Sequence, residues 1–263
     1  MLFVYLSLLL FFSFLLIKSS QILVQALRKF SYYIKIDRFS LTTSLLALTT
    51  SFPEFFVGVT AALENKPNLS LGNIVGSNIA DISLVLGGAA IIGGSIGVSG
   101  RFLKKDILYT LLASGFPLVL LIDGYLSRVE GLLLLVIYGI YNYTILIYRR
   151  KRSKSFIQLA KGFLCRLNHR ETNREIAWFF LGAALLIFSA DAVVKSASLI
   201  AYQFKVPLFL IGLFLVAVGT SLPELSFEIE AVVKKETGMI FGSLLGSVTA
   251  NSTLILGSVA LIN

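Results

Sequence analysis

Residues 49–55 read TTSFPEF, inside a segment that is otherwise apolar: Leu45, Leu46, Ala47 and Leu48 lead into it, and Phe56 and Val57 follow. A carboxylate in the middle of a membrane-length segment costs about 2.5–3.5 kcal/mol even on lenient insertion scales. Glu54 therefore needs something to compensate it. A second copy, GTSLPEL, stands at residues 219–225. The duplication turns a polar blemish into a candidate site.

The surrounding composition says what kind of molecule carries it. Of 263 residues, 56% are apolar and 14% charged, and the mean hydropathy is +0.86. That balance excludes an ordinary soluble domain and predicts an all-α polytopic membrane protein. The apolar runs are long and continuous, not ten-residue alternating pieces, which argues against a β-barrel. The 21 phenylalanines and 21 glycines suit helices that face lipid on one side and pack closely on the other. One cysteine, Cys165, and one histidine, His169, leave no thiolate cluster or multi-histidine centre.

Apolar spans fall at about 2–27, 40–63, 69–97, 106–123, 129–148, 176–200, 206–232 and 238–262, which predicts about eight transmembrane helices. The net charge of +9 resides in alternate connections, a positive-inside pattern that points away from nucleic acid. Arg28, Lys29, Lys35 and Arg38 follow the first span; Arg101, Lys104 and Lys105 follow the third; the densest basic block follows the fifth. One orientation satisfies every loop: a multi-pass protein of the cell membrane, both termini outside, basic loops cytoplasmic. The first run is too long for a signal peptide and reads as a retained helix. In the large basic loop, Phe156, Leu159, Ala160, Phe163, Leu164 and Leu167 recur at helical spacing. They read as an in-plane helix on anionic lipid, a regulatory site, or a plain tether.

Residues 44–90 align without gaps on 214–260 at an offset of 170, with about fifteen identities. These include Thr50/Thr220, Ser51/Ser221, Pro53/Pro223, Glu54/Glu224, Gly72/Gly242, Gly76/Gly246 and Ser77/Ser247. The organisation is a first repeat of five helices (1–148), a basic cytoplasmic loop (149–175) and a second repeat of three (176–263). Five spans separate equivalent helices, so the second copy runs through the membrane in the opposite direction. Inverted repeats whose helices are interrupted by Gly and Pro point to a transporter's binding site, and no catalytic signature argues for an enzyme.

Residues four apart share a helix face, which pairs Thr50 with Glu54, Ser77 with Asp81, Thr220 with Glu224 and Ser247 with Asn251. Pro53 and Pro223 predict kinks that free backbone carbonyls near Ala47–Thr50 and Ala217–Thr220. The donor set is oxygen only, which suits hard cations such as Na⁺ or Ca²⁺. Glu228 and Glu230 are additional acids that either line the inner entrance or lie near the headgroups.

The two stretches TTSFPE…GNIVGSNIADISLVLG and GTSLPE…GSLLGSVTANSTLILG resemble the paired repeats of the cation/calcium exchanger superfamily, closest to its prokaryotic sodium/calcium exchangers. The resemblance implies a central site between the second, third, seventh and eighth helices. It implies that Glu54 and Glu224 bridge Ca²⁺, with Thr50 and Thr220 completing the shell. Ser51, Ser77, Ser221 and Ser247, with the carbonyls of Ala47 and Ala217, would serve Na⁺, while the first and sixth helices slide as a gating pair. The implied activity is secondary-active exchange of Na⁺ for Ca²⁺ with no cofactor beyond the transported ions. H⁺/Ca²⁺ or other cation exchange, or a transport-inactive truncated paralogue, are the alternatives.

Three features depart from the family pattern. Thr49 stands where glycine is usual. The polar pair is Asp81 in the first repeat and Asn251 in the second, opposite to the arrangement toward which the prokaryotic exchangers tend. The sequence ends at Asn263, without the two further helices the family normally adds, an expectation that admits a homo-oligomer or helper subunit bracing the core.

Overall fold

The computed structural model describes residues 2–33, 50–93, 101–149, 170–233 and 237–262, all but a few connecting residues of them helical. Helix α1 is Leu2–Tyr33 and α2 is Phe52–Leu63. Helix α3 runs as Pro67–Ala80, widens into a π-helical turn at Asp81–Val85, and continues as Leu86–Gly93. Helices α4 (Arg101–Leu120), α5 (Arg128–Arg149) and α6 (Arg170–Phe204) follow. Helix α7 comprises Leu208–Ile211, a π turn at Gly212–Val216, Ala217–Thr220 and, past Ser221, Leu222–Val233. Helix α8 comprises Thr237–Thr249, a π turn at Ala250–Ile255 and Leu256–Ile262.

Among the described residues, six stretches are long and apolar enough to cross a membrane: Val4–Leu23, Pro67–Gly93, Asp106–Asp123, Ile176–Phe204, Leu208–Leu225 and Ile240–Ile262. Helix α5 carries the expected span 129–148, and α2 is the described part of the span expected over 40–63. Ala47, the basic loop's amphipathic stretch, Cys165 and His169 lie outside the described residues. Large apolar side chains such as Phe11, Phe14, Leu111, Ile140, Phe180 and Phe214 face outward. They have a favourable environment in lipid, where a helix satisfies its own backbone polar groups.

Helices α1 and α6 pack along their lengths. Leu9, Leu16 and Leu23 repeat every seven residues on one face of α1; Leu9 and Leu16 are buried in one cluster with Ala190, Val193, Val194 and Ala197 of α6, and Leu23 lies against Gly182. With 32 and 35 residues they extend about 48 and 52 Å at about 1.5 Å per residue, longer than a bilayer core of about 30 Å, so they tilt or project.

Helices α3 and α7 cross at backbone contact. A Cβ added at Gly72 would overlap the Phe209 carbonyl, one at Gly76 the Leu213 carbonyl, and one at Gly212 the Leu69 carbonyl. Any larger residue forces these helices apart. Helices α5 and α8 meet in the same way through Gly131 and Gly257. The two crossings hold α3, α7 and α8 at the distance from which their polar faces can share one space.

Candidate functional site

The polar interruptions of α2 and α7 have matching geometry. Ser51 sits at φ −79°, ψ 7° and Ser221 at φ −83°, ψ 0°, so each helix turns aside for one residue and restarts with its proline in the new first turn. The carbonyls of Ser51 and Ser221 accept from the N–H of Phe55 and Leu225, at 3.0 and 3.2 Å. The restart aims Glu54 and Glu224 inward, where each is buried.

The two halves are joined by side chains that alternate between them. Ser51 and Ser247 hydroxyls are 2.9 Å apart, and Ser247 donates to an Asp81 carboxylate oxygen at 3.2 Å. Ser77 lies 3.2 Å from the Thr220 hydroxyl and 3.5 Å from a Glu54 oxygen, to which it donates. Thr220 also faces the Asn73 side-chain carbonyl at 3.2 Å. Ser221 flanks Asp81, Thr50 stands beside Glu224, and Glu224 feels the charge of both Glu54 and Asp81. The expected residues of α2, α3, α7 and α8 thus converge. Asn251 is buried at the head of the π turn of α8, as Asp81 is at that of α3.

Several buried oxygens in this cluster lack a hydrogen-bond partner: one of Glu54, one of Asp81, both of Glu224 and the Asn251 side-chain carbonyl. Buried carboxylate oxygens without donors are costly, and like charges this close repel. A hard cation answers both costs at once. Among the described residues no three acidic, histidine or cysteine side chains are close enough to share one ion. Hydroxyl, amide and backbone oxygens therefore have to fill out any shell that two carboxylates begin.

The Ala217 carbonyl accepts from the Ser221 N–H at 3.0 Å and the Thr220 hydroxyl at 3.1 Å. Pro223 withholds its N–H from the residue four before it, Gly219, which lies within the stretch Ala217–Thr220.

The chain that carries this buried oxygen cluster is similar to known proteins. The profile of the family described as sodium/calcium exchanger protein matches residues 4–147 and 174–263. The chain belongs to this family. The inner membrane protein YrbG of Escherichia coli is 32% identical over 222 residues, covering 83% of this chain and 68% of YrbG. The sodium-calcium exchanger NCX_Mj, in a crystal structure with Na⁺ and Sr²⁺, is 29% identical with a TM-score of 0.66, covering 100% of this chain and 83% of that one. The H⁺/Ca²⁺ exchanger CAX shares the fold, with a TM-score of 0.80 at 20% identity over 98% of this exchanger chain and 67% of its own. The protein is thus an all-α, multi-pass membrane member of a family of Ca²⁺-exchanging antiporters.

The structure also shows what the sequence reading left open. Three π turns had no sequence signal, because a shifted hydrogen-bond register leaves composition unchanged; such turns recur at functional sites. Asn73 and Asn78 were passed over. Asn73 accepts from Thr220, and Asn78 donates to Ser252 at 2.8 Å, tying α3 to α8. Their spacing from Ser77 and Asp81 was the available signal. Glu228 is buried, and the side chain of Glu230 lies outside the described set.

Proposed function

We propose that this exchanger moves Ca²⁺ across the membrane in exchange for Na⁺, by alternating access at the cage between α2, α3, α7 and α8. The observation that carries the reading is the pair Glu54 and Glu224. They are equivalent by the internal repeat, buried from opposite halves, and present oxygens with no hydrogen-bond partner.

In this reading Glu54 and Glu224 supply the charge that a divalent ion needs. Thr50 and Thr220 stand beside them, and Ser51, Ser77, Ser221 and Ser247, with Asp81 and Asn251, offer oxygens to smaller charges. An empty cage holds adjacent carboxylates that repel, so closing around no ion is disfavoured, and that penalty couples the two fluxes. The long pair α1 and α6 packs against α2 and α7 through an apolar cluster that includes Leu16, Val57 and Val216. Such an interface suits sliding of one pair over the remaining bundle. Sodium as the coupling ion is supported by the hydroxyl-rich shell and by the resemblance to NCX_Mj. In the same reading the basic connections lie in the cytoplasm and both termini outside, as the positive-inside rule supports.

The test is uptake of ⁴⁵Ca²⁺ into proteoliposomes under an outward Na⁺ gradient or a pH gradient. Uptake is expected with the Na⁺ gradient and with Glu54→Gln or Glu224→Gln reduced at least tenfold. Uptake driven only by the pH gradient would reassign the coupling ion to H⁺. Full uptake by both variants would remove the cage from the mechanism.

A further inference from the structure

The internal repeat is least exact where α2 and α7 leave the cage. On α7, Thr220, Glu224 and Glu228 follow one another at four-residue intervals and share a face. The same stripe on α2 reads Thr50, Glu54, Gly58. The stripe of α2 is closed by apolar packing: a Cβ at Gly58 would lie 3.0 Å from the Ile255 side chain, 3.1 Å from the Ser70 hydroxyl and 3.6 Å from Val259. The equivalent place on α7 holds a carboxylate.

Glu228 is 1% exposed, and its Oε2 is buried with no hydrogen-bond partner. Ser243 of α8 is within hydrogen-bonding reach of it, and Asp81, at the head of the π turn of α3, is close enough to act on its charge. Asp81 likewise has one buried oxygen, Oδ1, without a partner. The wall behind Glu228 is apolar. Leu222–Val233 packs on Leu86–Gly93, with Ala89, Ala231, Val232 and Ile240 forming one buried cluster. Beside this apolar cluster, Asp81 and Ser243 are the polar groups that act on Glu228 among the described residues. Each of these neighbouring carboxylates keeps one buried oxygen without a donor, and two buried carboxylates near one another destabilise the empty protein. Their retention calls for a compensating charge.

We propose that Glu228, Asp81 and Ser243 form a second hard-cation site, one helical turn from the central cage toward the C-terminal end of α7. Two carboxylates and a hydroxyl form an oxygen-only set that takes Na⁺ or Ca²⁺. Asp81 borders both this site and the cage, so an ion here neutralises an acid that the cage also uses. The second site serves as the station where a cation waits while the central carboxylates exchange theirs. The first repeat has no such station, because Gly58 is packed shut. Ion binding is therefore asymmetric about the pseudo-two-fold. The inference rests on the reading of Glu54 and Glu224 as the central site, and the two are separable.

The experiment uses the purified full chain in detergent, titrated with CaCl₂ alone or NaCl alone at constant ionic strength in choline chloride. Thermal midpoints are read together with isotope counts of bound ⁴⁵Ca²⁺ and ²²Na⁺. Glu228→Gln is near-isosteric and is expected to raise the midpoint without cation, by relieving repulsion of Asp81. It is also expected to reduce the cation-induced rise by at least half and to remove one bound ion per chain in one of the two series. Ser243→Ala, a smaller perturbation, is expected to weaken the same binding step at least threefold. Loss from the Na⁺ series identifies a sodium station, and loss from the Ca²⁺ series a calcium one. An unchanged ion count in both series, or a lower midpoint with an intact cation-induced rise, overturns the proposal and leaves Glu228 a packing residue. Glu54→Gln, run in parallel, removes a different binding step. If it removes none, the central reading fails, whatever Glu228→Gln does.

Discussion

Replacing Gly76 by alanine tests whether the distance between α3 and α7 sets the site. The added Cβ would lie 2.5 Å from the Ala217 Cβ and 2.9 Å from the Leu213 carbonyl carbon. Carbon atoms settle at about 3.5–4.0 Å, so the helices must separate by about 1 Å. Ser77, the next residue along, is 3.2 Å from Thr220 across the same crossing. A retreat of about 1 Å carries that pair past the limit of a hydrogen bond. Overpacking costs about 1–3 kcal/mol and the lost bond about 1 kcal/mol, giving a total of about 2–4 kcal/mol. A displacement of about 1 Å at a site can also cost about a hundredfold in rate. The expected result for Gly76→Ala is a destabilised protein whose Na⁺-driven ⁴⁵Ca²⁺ uptake in proteoliposomes falls at least tenfold. Uptake within twofold of the parent, with an unchanged thermal midpoint, would show that the crossing tolerates the methyl group and that the site does not depend on it.

Other perturbations probe other parts of the arrangement. Asp81→Asn removes one of the cage acids and is expected to lower Na⁺-driven uptake at least tenfold, while the double variant Asp81→Asn, Asn251→Asp recovers at least half of it in the same assay. Ser247→Ala breaks the relay from Ser51 at 2.9 Å to Asp81 at 3.2 Å. Leaving a buried carboxylate short of a donor costs about 1–3 kcal/mol, read as a lower midpoint in detergent without added cations. Lys195 is paired with Asp191 at 2.8 Å on the surface of α6 and is 60% exposed. Lys195→Ala is therefore expected to leave both uptake and the thermal midpoint within error, as surface pairs contribute little.

Much of this was legible in the chain because membrane helices write their rules plainly. Apolar length sets the spans, and any polar residue inside them has a reason to be there. Thr50, Glu54, Ser77, Asp81, Thr220, Glu224, Ser247 and Asn251 stood out on that ground, and the offset of 170 paired them before any coordinates did. What was not legible depends on hydrogen-bond register and on the partner across a crossing. The π turn at Asp81–Val85 has ordinary residues in it. The engagement of the Ala217 carbonyl follows from which N–H the proline lacks, a detail finer than the expectation of a kink. Glu228 looked like a residue near the helix end. Its burial is decided by α3 and α8, which no local pattern reveals.

The π turns carry a consequence for how this exchanger tolerates change. Within α3, the residues before the turn present Gly72 and Gly76 to α7, and those after it present Gly88 to Leu225 and Gly93 to Val232 of the same helix. The wide turn acts as a phase shifter that brings two separately written surfaces onto one side of the rod. Each residue of a regular α-helix advances the face by about 100°, so deleting one residue from 82–85 would swing the distal glycines away from α7 while leaving the identities of the cage side chains unchanged. A change of length in that half of α3 is therefore more disruptive than a point substitution at one of its outward positions, such as Ile91 or Ile92.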